Sequence, residues 1–167
     1  MKHRIIDSPI GPLTLVVDDE GVLCALYTDG QKHFPGPEAL GERDDTIAPE
    51  AVAQVGEYFA GRRTDFDVEL APRGTPFQHA VWDALAAIPT GETRTYGEVA
   101  ADLGRPGASR AVGAATGRNP ISIIVPCHRL VGAAGSLTGY AGGIDRKRWL
   151  LAFERSLRPE TGRSTGE

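Results

Sequence analysis

Cysteine is scarce: Cys24 and Cys127 are the only two in 167 residues. Two cannot build the disulfide framework of a small secreted domain, and in a reducing compartment both are free thiols. Neither sits in a CxxC pair or a Cys/His cluster with zinc spacing, and His79 is not part of an HExxH helix. No metal site and no cofactor is therefore expected. Long apolar runs are missing too. No stretch approaches the roughly 20 apolar residues that span a bilayer. The opening Met1-Lys2-His3-Arg4-Ile5-Ile6-Asp7 carries charge but lacks the continuous apolar segment of a signal peptide. These absences lead to the expectation of a cytoplasmic protein with no membrane partner. Repeats and low-complexity segments do not occur. What remains is 41% hydrophobic and 24% charged, enough for one large domain or two small ones.

The formal net charge of −4 argues at first against a polyanionic partner. Its distribution does not. Residues 1–75 hold 7 basic and 14 acidic residues, a net of −7, and residues 76–167 hold 11 basic and 8 acidic, a net of +3. The basic excess of the second half can meet a polyanion locally, or can simply be a solvated surface.

Alternation and turn signals predict a small antiparallel meander at the start: Ile5-Ile6, Leu13–Val17 and Val22–Tyr27, separated by Asp7–Pro12 and Asp18–Gly21. Residues 28–48 read as a loop. Pro49 to Ala60 reads as a helix with Val52, Val55 and Phe59 as its apolar stripe, and Phe66–Leu70 as one more strand. The character changes at Ala71-Pro72-Arg73-Gly74, a boundary between residues 1–74 and 75–157. Beyond it, Thr75-Pro76-Phe77-Gln78 and Thr95-Tyr96-Gly97-Glu98 are capping boxes that start helices. A further helix runs to about Thr116, so that two short helices joined by a Gly-containing turn form a helix-turn-helix. A last helix starts near Asp145, and the polar stretch 158–167 reads as a flexible tail. The fold class is α+β: a small N-terminal antiparallel sheet with a helix, then a helical domain.

The second helix of the pair, Ala108–Thr116, is poor in large side chains. Ala111, Val112 and Ala115 are placed inward, while Ala108, Ser109 and Gly113 leave a low surface from which Arg110 projects. Such a helix suits close approach to a groove with one inserted group, and equally suits close packing against another helix. Next, Ile121–Val125 reads as a buried strand or extended segment delivering Pro126-Cys127-His128-Arg129. A cysteine is a strong nucleophile only as the thiolate, a few per cent of an unperturbed thiol at neutral pH. His128 is the candidate base, directly or through a water. Glu154 flanks the apolar stripe of the last helix, Trp149, Leu150, Phe153 and Leu157. If buried it needs a partner, and His128 would complete a Glu–His–Cys relay; otherwise it is a surface carboxylate. Gly139–Gly143 is a loop with one aromatic, Tyr140, able to close on a planar ligand or to be a plain tight turn.

Taken together, Asn119-Pro120, Pro126-Cys127-His128-Arg129, Tyr140-Ala141-Gly142-Gly143, Lys147 and Glu154 closely resemble the O6-alkylguanine-DNA alkyltransferase family, over Thr75 to about Leu157. Ser8–Leu13 is similar to the family's opening strands. The resemblance implies a ribonuclease-H-like N-terminal domain and a C-terminal domain that binds the minor groove of double-stranded DNA and flips an alkylated base into a pocket. It implies that Arg110 fills the gap left by the base. Tyr96 would help rotate the phosphate and hydrogen-bond the guanine. Asn119 would brace the segment before the nucleophile. Tyr140 would flank the base, and main-chain groups at Cys127, Leu130 and Ala141 would read its edge, with Lys147 also in the substrate site. Ala108, Ser109, Gly113, Thr116 and Arg118 would join Tyr96 and Arg110 on the DNA. Glu154, His128 and a water would take the thiol proton, and Cys127 would accept the alkyl group of O6-alkylguanine irreversibly, once per molecule. O4-alkylthymine as a second substrate, the range of alkyl groups and cooperative assembly of the monomer on DNA stay open. Ala141 stands where some members carry serine. Rival readings are a damage sensor without transfer, a cysteine hydrolase, and a helix-turn-helix regulator.

Overall fold

The computed structural model describes residues 1–157; the expected tail at 158–167 lies outside the described residues. Strand β1 (Lys2–Ile6) pairs antiparallel with β2 (Leu13–Val17), and β2 with β3 (Leu23–Thr28). The β1–β2 turn closes on itself: Ser8 Oγ donates to the Gly11 carbonyl at 2.6 Å, and Gly11 adopts φ +101°, a region open to glycine. Residues 28–48 are not wholly a loop. A 3-10 turn at Pro37–Leu40 leads into β4 (Glu42–Arg43), which pairs parallel with β1 and completes the order β3-β2-β1-β4.

Both faces of this sheet are covered, which is why β2 reads as the nearly unbroken apolar Leu-Thr-Leu-Val-Val. Leu13, Leu15 and Val17 enter the main core, while Val16 joins Cys24, Ala25 and Leu40 in a smaller cluster behind. Helix α1 (Pro49–Phe59) closes the main face. Its buried residues are Ala51, Val55 and Tyr58, a stripe turned by about one residue from the expected one, with Val52 and Phe59 half-buried. Segment 66–70 is not a strand; it makes a single parallel bridge, Leu23 to Leu70.

In the second half, α2 (Pro76–Ala86) and α3 (Tyr96–Asp102) both start with complete capping boxes: Thr75 with Gln78, and Thr95 with Glu98. Each cap is worth about 1 kcal/mol. Helix α4 (Ser109–Gly117) packs on α2 and α3, and Trp82 Nε1 donates to the Ala115 carbonyl at 2.8 Å. The inward residues of α4 are Val112, Ala115 and Thr116. Ala111 is exposed, against the expectation. Helix α5 (Ile144–Ser156) follows and buries Lys147, Leu150, Leu151 and Glu154. Trp149 does not enter the core; at 36% exposure it stacks on Phe153 and leans on Phe59.

Two backbone connections position the site. The outer edge of β3 holds the segment before Cys127: Leu26 N–H donates to the Pro120 carbonyl at 2.8 Å, and Ser122 N–H to the Leu26 carbonyl at 3.0 Å. A two-stranded parallel pair, β5 (Arg94–Thr95) with β6 (Leu130–Val131), ties the start of α3 to the residues just after the nucleophile. The main hydrophobic cluster runs without interruption from β2 and α1 through α2, α4 and α5.

Candidate active site

Segment Ile121–Val125 is a tight, fully buried turn, not a strand. The chain doubles back so that Val125 N–H reaches the Ile121 carbonyl at 3.0 Å. Ile123 pays for this with φ +74°, unusual for a β-branched side chain. Asn119 holds the turn from inside: its Oδ1 accepts from Ile121 N–H at 3.0 Å and its Nδ2 donates to the Val125 carbonyl at 2.9 Å. The turn runs directly into a 3-10 segment, Cys127–Arg129, all three of whose residues are buried.

Cys127 is 4% exposed. Burial pushes its thiol up, with Asn119, Lys147 and Tyr140 pulling partly the other way, so at rest the sulfur carries its proton. His128 and Glu154 are fully buried and 2.8 Å apart, His128 Nε2 to Glu154 Oε2. Burial lowers the His128 pKa, and the hydrogen bond and charge of Glu154 only partly oppose this. Burial also acts to raise Glu154, but hydrogen bonds from Arg129 and His128 outweigh it and hold the carboxyl well below the usual range. An ionised Glu154 facing neutral His128 fixes the tautomer: Nε2 carries the hydrogen and donates, leaving Nδ1 as the lone-pair nitrogen. That Nδ1 is buried and has no hydrogen-bond partner among the described residues.

Glu154 is the meeting point of three elements. Besides His128 it accepts Arg129 Nε on Oε1 and Arg129 Nη2 on Oε2, both at 2.8 Å, and the Tyr58 hydroxyl on Oε2 at 2.6 Å. Arg129 is anchored further on the Ile88 carbonyl at 2.6 Å and on Thr90 Oγ1 at 3.1 Å. Lys147, from α5, is buried with Nζ on the Leu130 carbonyl at 2.5 Å and the Thr138 carbonyl at 3.4 Å.

A cleft of about 530 Å³ adjoins this relay through Tyr140; Tyr96, Gly113, Thr116, Gly117, Arg118 and Ala141 also line it, with Lys32 and His33 from the N-terminal half, while Cys127 itself does not. That volume suits a small planar ligand. Tyr140 belongs to cleft and relay alike: its ring lines the one, and its buried hydroxyl faces Cys127 and Ser122 without a well-formed hydrogen bond. The Tyr96 hydroxyl shares a hydrogen with Thr138 Oγ1 at 2.7 Å, and its ring lies against Gly113, where a Cβ would approach it to 3.4 Å. Beside it a second depression, lined by Tyr96, Gly97, Ser109, Arg110, Gly113 and Ala133, faces solvent with Arg110 exposed. Ala108 and Ser109 lie at the start of α4, half-buried. Thr116 is mostly buried, its hydroxyl spent on the Val112 carbonyl at 2.8 Å. The Leu130 side chain is wholly buried, so only its main chain is at issue for a ligand.

The profile described as the DNA binding domain of 6-O-methylguanine DNA methyltransferase matches residues 76–156, and the ribonuclease-like domain of the same family matches residues 1–72. The chain belongs to this family. Curated relatives named methylated-DNA–protein-cysteine methyltransferase include one from Methanosarcina acetivorans, 53% identical over 93% of this chain and 99% of the relative. Another, from Mycolicibacterium paratuberculosis, is 54% identical over 95% of each chain. The crystal structure of Mycobacterium tuberculosis OGT in complex with DNA superposes with a TM-score of 0.87 at 54% identity, covering 96% of both chains. Among the described residues of this family member, no helix is long and apolar enough to cross a membrane.

The residues singled out in sequence fall in two places. Cys127, His128, Glu154, Asn119, Leu130 and Lys147 form the buried relay and its supports. Tyr96, Arg110, Gly113, Thr116, Arg118, Tyr140 and Ala141 line the two depressions above. Sequence reasoning missed Tyr58, Thr138, Lys32 and His33, and gave Arg129 no role. A basic residue next to a buried His–Glu pair was the available signal for Arg129. None existed for Tyr58, 96 positions away from its partner.

Proposed function

We propose that this protein repairs double-stranded DNA by moving the alkyl group of O6-alkylguanine onto Cys127 Sγ, once per molecule. The observation that carries the assignment is the buried chain Glu154–His128 next to Cys127, with His128 Nδ1 left free to receive a proton. The damaged base leaves the stack, since its O6 substituent is out of reach inside a duplex, and enters the cleft between Tyr140 and Tyr96 from the minor groove. Arg110, exposed at the start of α4, fills the space the base leaves. Ser109, Ala108, Gly113, Thr116 and Arg118 complete the DNA-facing surface.

In the chemical step the Cys127 thiol gives its proton to His128 Nδ1, directly or through one water, and Glu154 stabilises the imidazolium. The S–C bond forms as the C–O6 bond breaks in line. The departing guanine takes up one proton at N1 from solvent while the His128 imidazolium returns its proton to solvent, and the Tyr96 hydroxyl, released from Thr138, donates a hydrogen bond to N3 without giving up its proton. The balance is one alkyl group to sulfur and one proton to the base. A thioether has no good leaving group, so none of the neighbouring side chains can displace the alkyl group from sulfur, and the reaction stops there. Residues 1–74 act as the domain that supports the site and residues 75–157 as the DNA-binding and reactive domain, in a monomer.

The test is mass spectrometry of the intact protein and its peptides after mixing with a duplex carrying one O6-methylguanine. One added methylene per protein, confined to the Cys127 peptide, is expected. Preferential binding of the lesion with no added mass would make the protein a sensor; repeated turnover would make it a hydrolase.

A further inference from the structure

Helix α1 brings a hydroxyl group from the N-terminal half into the proton relay. Tyr58 is fully buried and its hydroxyl donates to Glu154 Oε2 at 2.6 Å, the same oxygen that accepts His128 Nε2 and Arg129 Nη2 at 2.8 Å. An aromatic cage fixes the ring: Phe59 and Phe153 meet it edge-on with centroids 5.0 and 5.5 Å away, and Phe66 lies tilted at 5.5 Å. Burial and the adjacent carboxylate keep the phenol protonated far above its ordinary range, so it stays a donor at every working pH. Arg129 alone already secures the carboxylate by two hydrogen bonds. The Tyr58 bond is thus not needed to hold Glu154 in place, and its effect falls on the charge of Oε2.

We infer that Tyr58 is a positioning residue of the relay, setting the basicity of His128 by drawing charge from the carboxylate oxygen the imidazole shares. A carboxylate oxygen that satisfies several donors offers less to each, and a hydrogen bond to the charged form favours that form. With Tyr58 in place Glu154 is a weaker counter-charge, and His128 stays neutral at rest with Nδ1 ready to accept. The other charged groups facing His128 are Arg129 and Lys147, which oppose its protonation, and the neighbouring Cys127 thiol. The N-terminal half therefore adjusts the chemistry as well as supporting it. This inference rests on His128 being the base that serves Cys127.

The experiment is Tyr58→Phe, which keeps the ring in its cage. Two midpoints are read against wild type: the imidazole titration of His128 by NMR, and the rising limb of the pH–rate profile for single-turnover transfer from free O6-benzylguanine. Both are expected to rise by about one pH unit, the size of one charge-assisted hydrogen bond. Transfer then slows by up to about tenfold below the midpoint and is no slower above it. Phe59→Leu loosens the same cage without touching Glu154; it should lower the melting temperature and leave both midpoints unchanged. Unchanged midpoints in Tyr58→Phe would reduce Tyr58 to a packing residue, as would equal shifts in both variants. Failure of wild type to alkylate Cys127 would instead sink the proposed function, while the NMR titration would still decide the role of Tyr58.

Discussion

Replacing Glu154 by glutamine perturbs the relay and the fold together, and the structure sets the size of both effects. The carboxylate takes four hydrogen bonds: Arg129 Nε on Oε1, and Arg129 Nη2, His128 Nε2 and Tyr58 Oη on Oε2. Glutamine keeps the volume but offers one oxygen and one NH₂ group. Whichever way the amide turns, its N–H bonds confront at least one donor, and the Arg129 guanidinium loses its counter-charge in the interior. Removing one partner of a buried pair costs about 3–5 kcal/mol, against a total stability of about 5–15 kcal/mol. The variant should therefore fold with a clearly lower urea midpoint. The His128 tautomer is no longer fixed and its cation no longer balanced, so single-turnover transfer from O6-benzylguanine should slow by about 100-fold, within the usual reach of a general base. Combining Glu154→Gln with Arg129→Met removes the stranded charge and should recover part of the stability without recovering transfer. A single variant destabilised by less than about 1 kcal/mol, reacting near the wild-type rate, would refute the reasoning.

Arg110→Ala should reduce repair of a lesion duplex strongly and reaction with the free base little, because only the duplex needs the vacated space filled; equal losses in the two single-turnover assays would remove Arg110 from that role. Gly142→Ala would set a Cβ 2.6 Å from the Tyr140 ring, so reaction with duplex and free base should fall alike, while binding of undamaged duplex stays unchanged in a fluorescence titration. Acidification should destabilise the fold in two steps. Both pKa values are lower folded than unfolded, so the unfolded chain binds the extra protons: His128 costs stability as pH falls below the ordinary imidazole value of 6.5, and Glu154 as pH falls below the ordinary carboxyl value of 4.5. Urea midpoints against pH measure this directly, and Glu154→Gln should lack the lower step.

Most of the architecture was readable because the signals were local. A threonine three residues ahead of Gln78 or Glu98 specifies a helix start within a few residues of chain, and both capping boxes are formed. The β1–β3 meander is equally local, fixed by alternation and turn residues. Ile121–Val125 was ambiguous for the opposite reason: a short apolar run says that a segment is buried but not whether it extends or folds back. What decides is the Asn119 side chain bonding inside the turn. β4 has two exposed residues and takes its place only through pairing with β1, so nothing in its composition could announce it. The α1 stripe was displaced by about one position, and that displacement hid Tyr58. Left out of the stripe, its hydroxyl had no reason to matter; turned inward, it reaches Glu154.

The short parallel pair β5–β6 has a mechanical consequence. Thr95, which caps α3, is in register with Val131, and Arg94 with Leu130. The helix carrying Tyr96 and the turn carrying Cys127 are thus stapled together within a few residues of both. Asn119 locks the other side of that turn, and the edge of β3 locks the strand of chain before it. These ties oppose any hinging of the helix pair toward the sulfur. The distance between the surface of the helix pair and the sulfur is built in, like the depth of a gauge, and on the proposed function it falls to the nucleic acid to cover it.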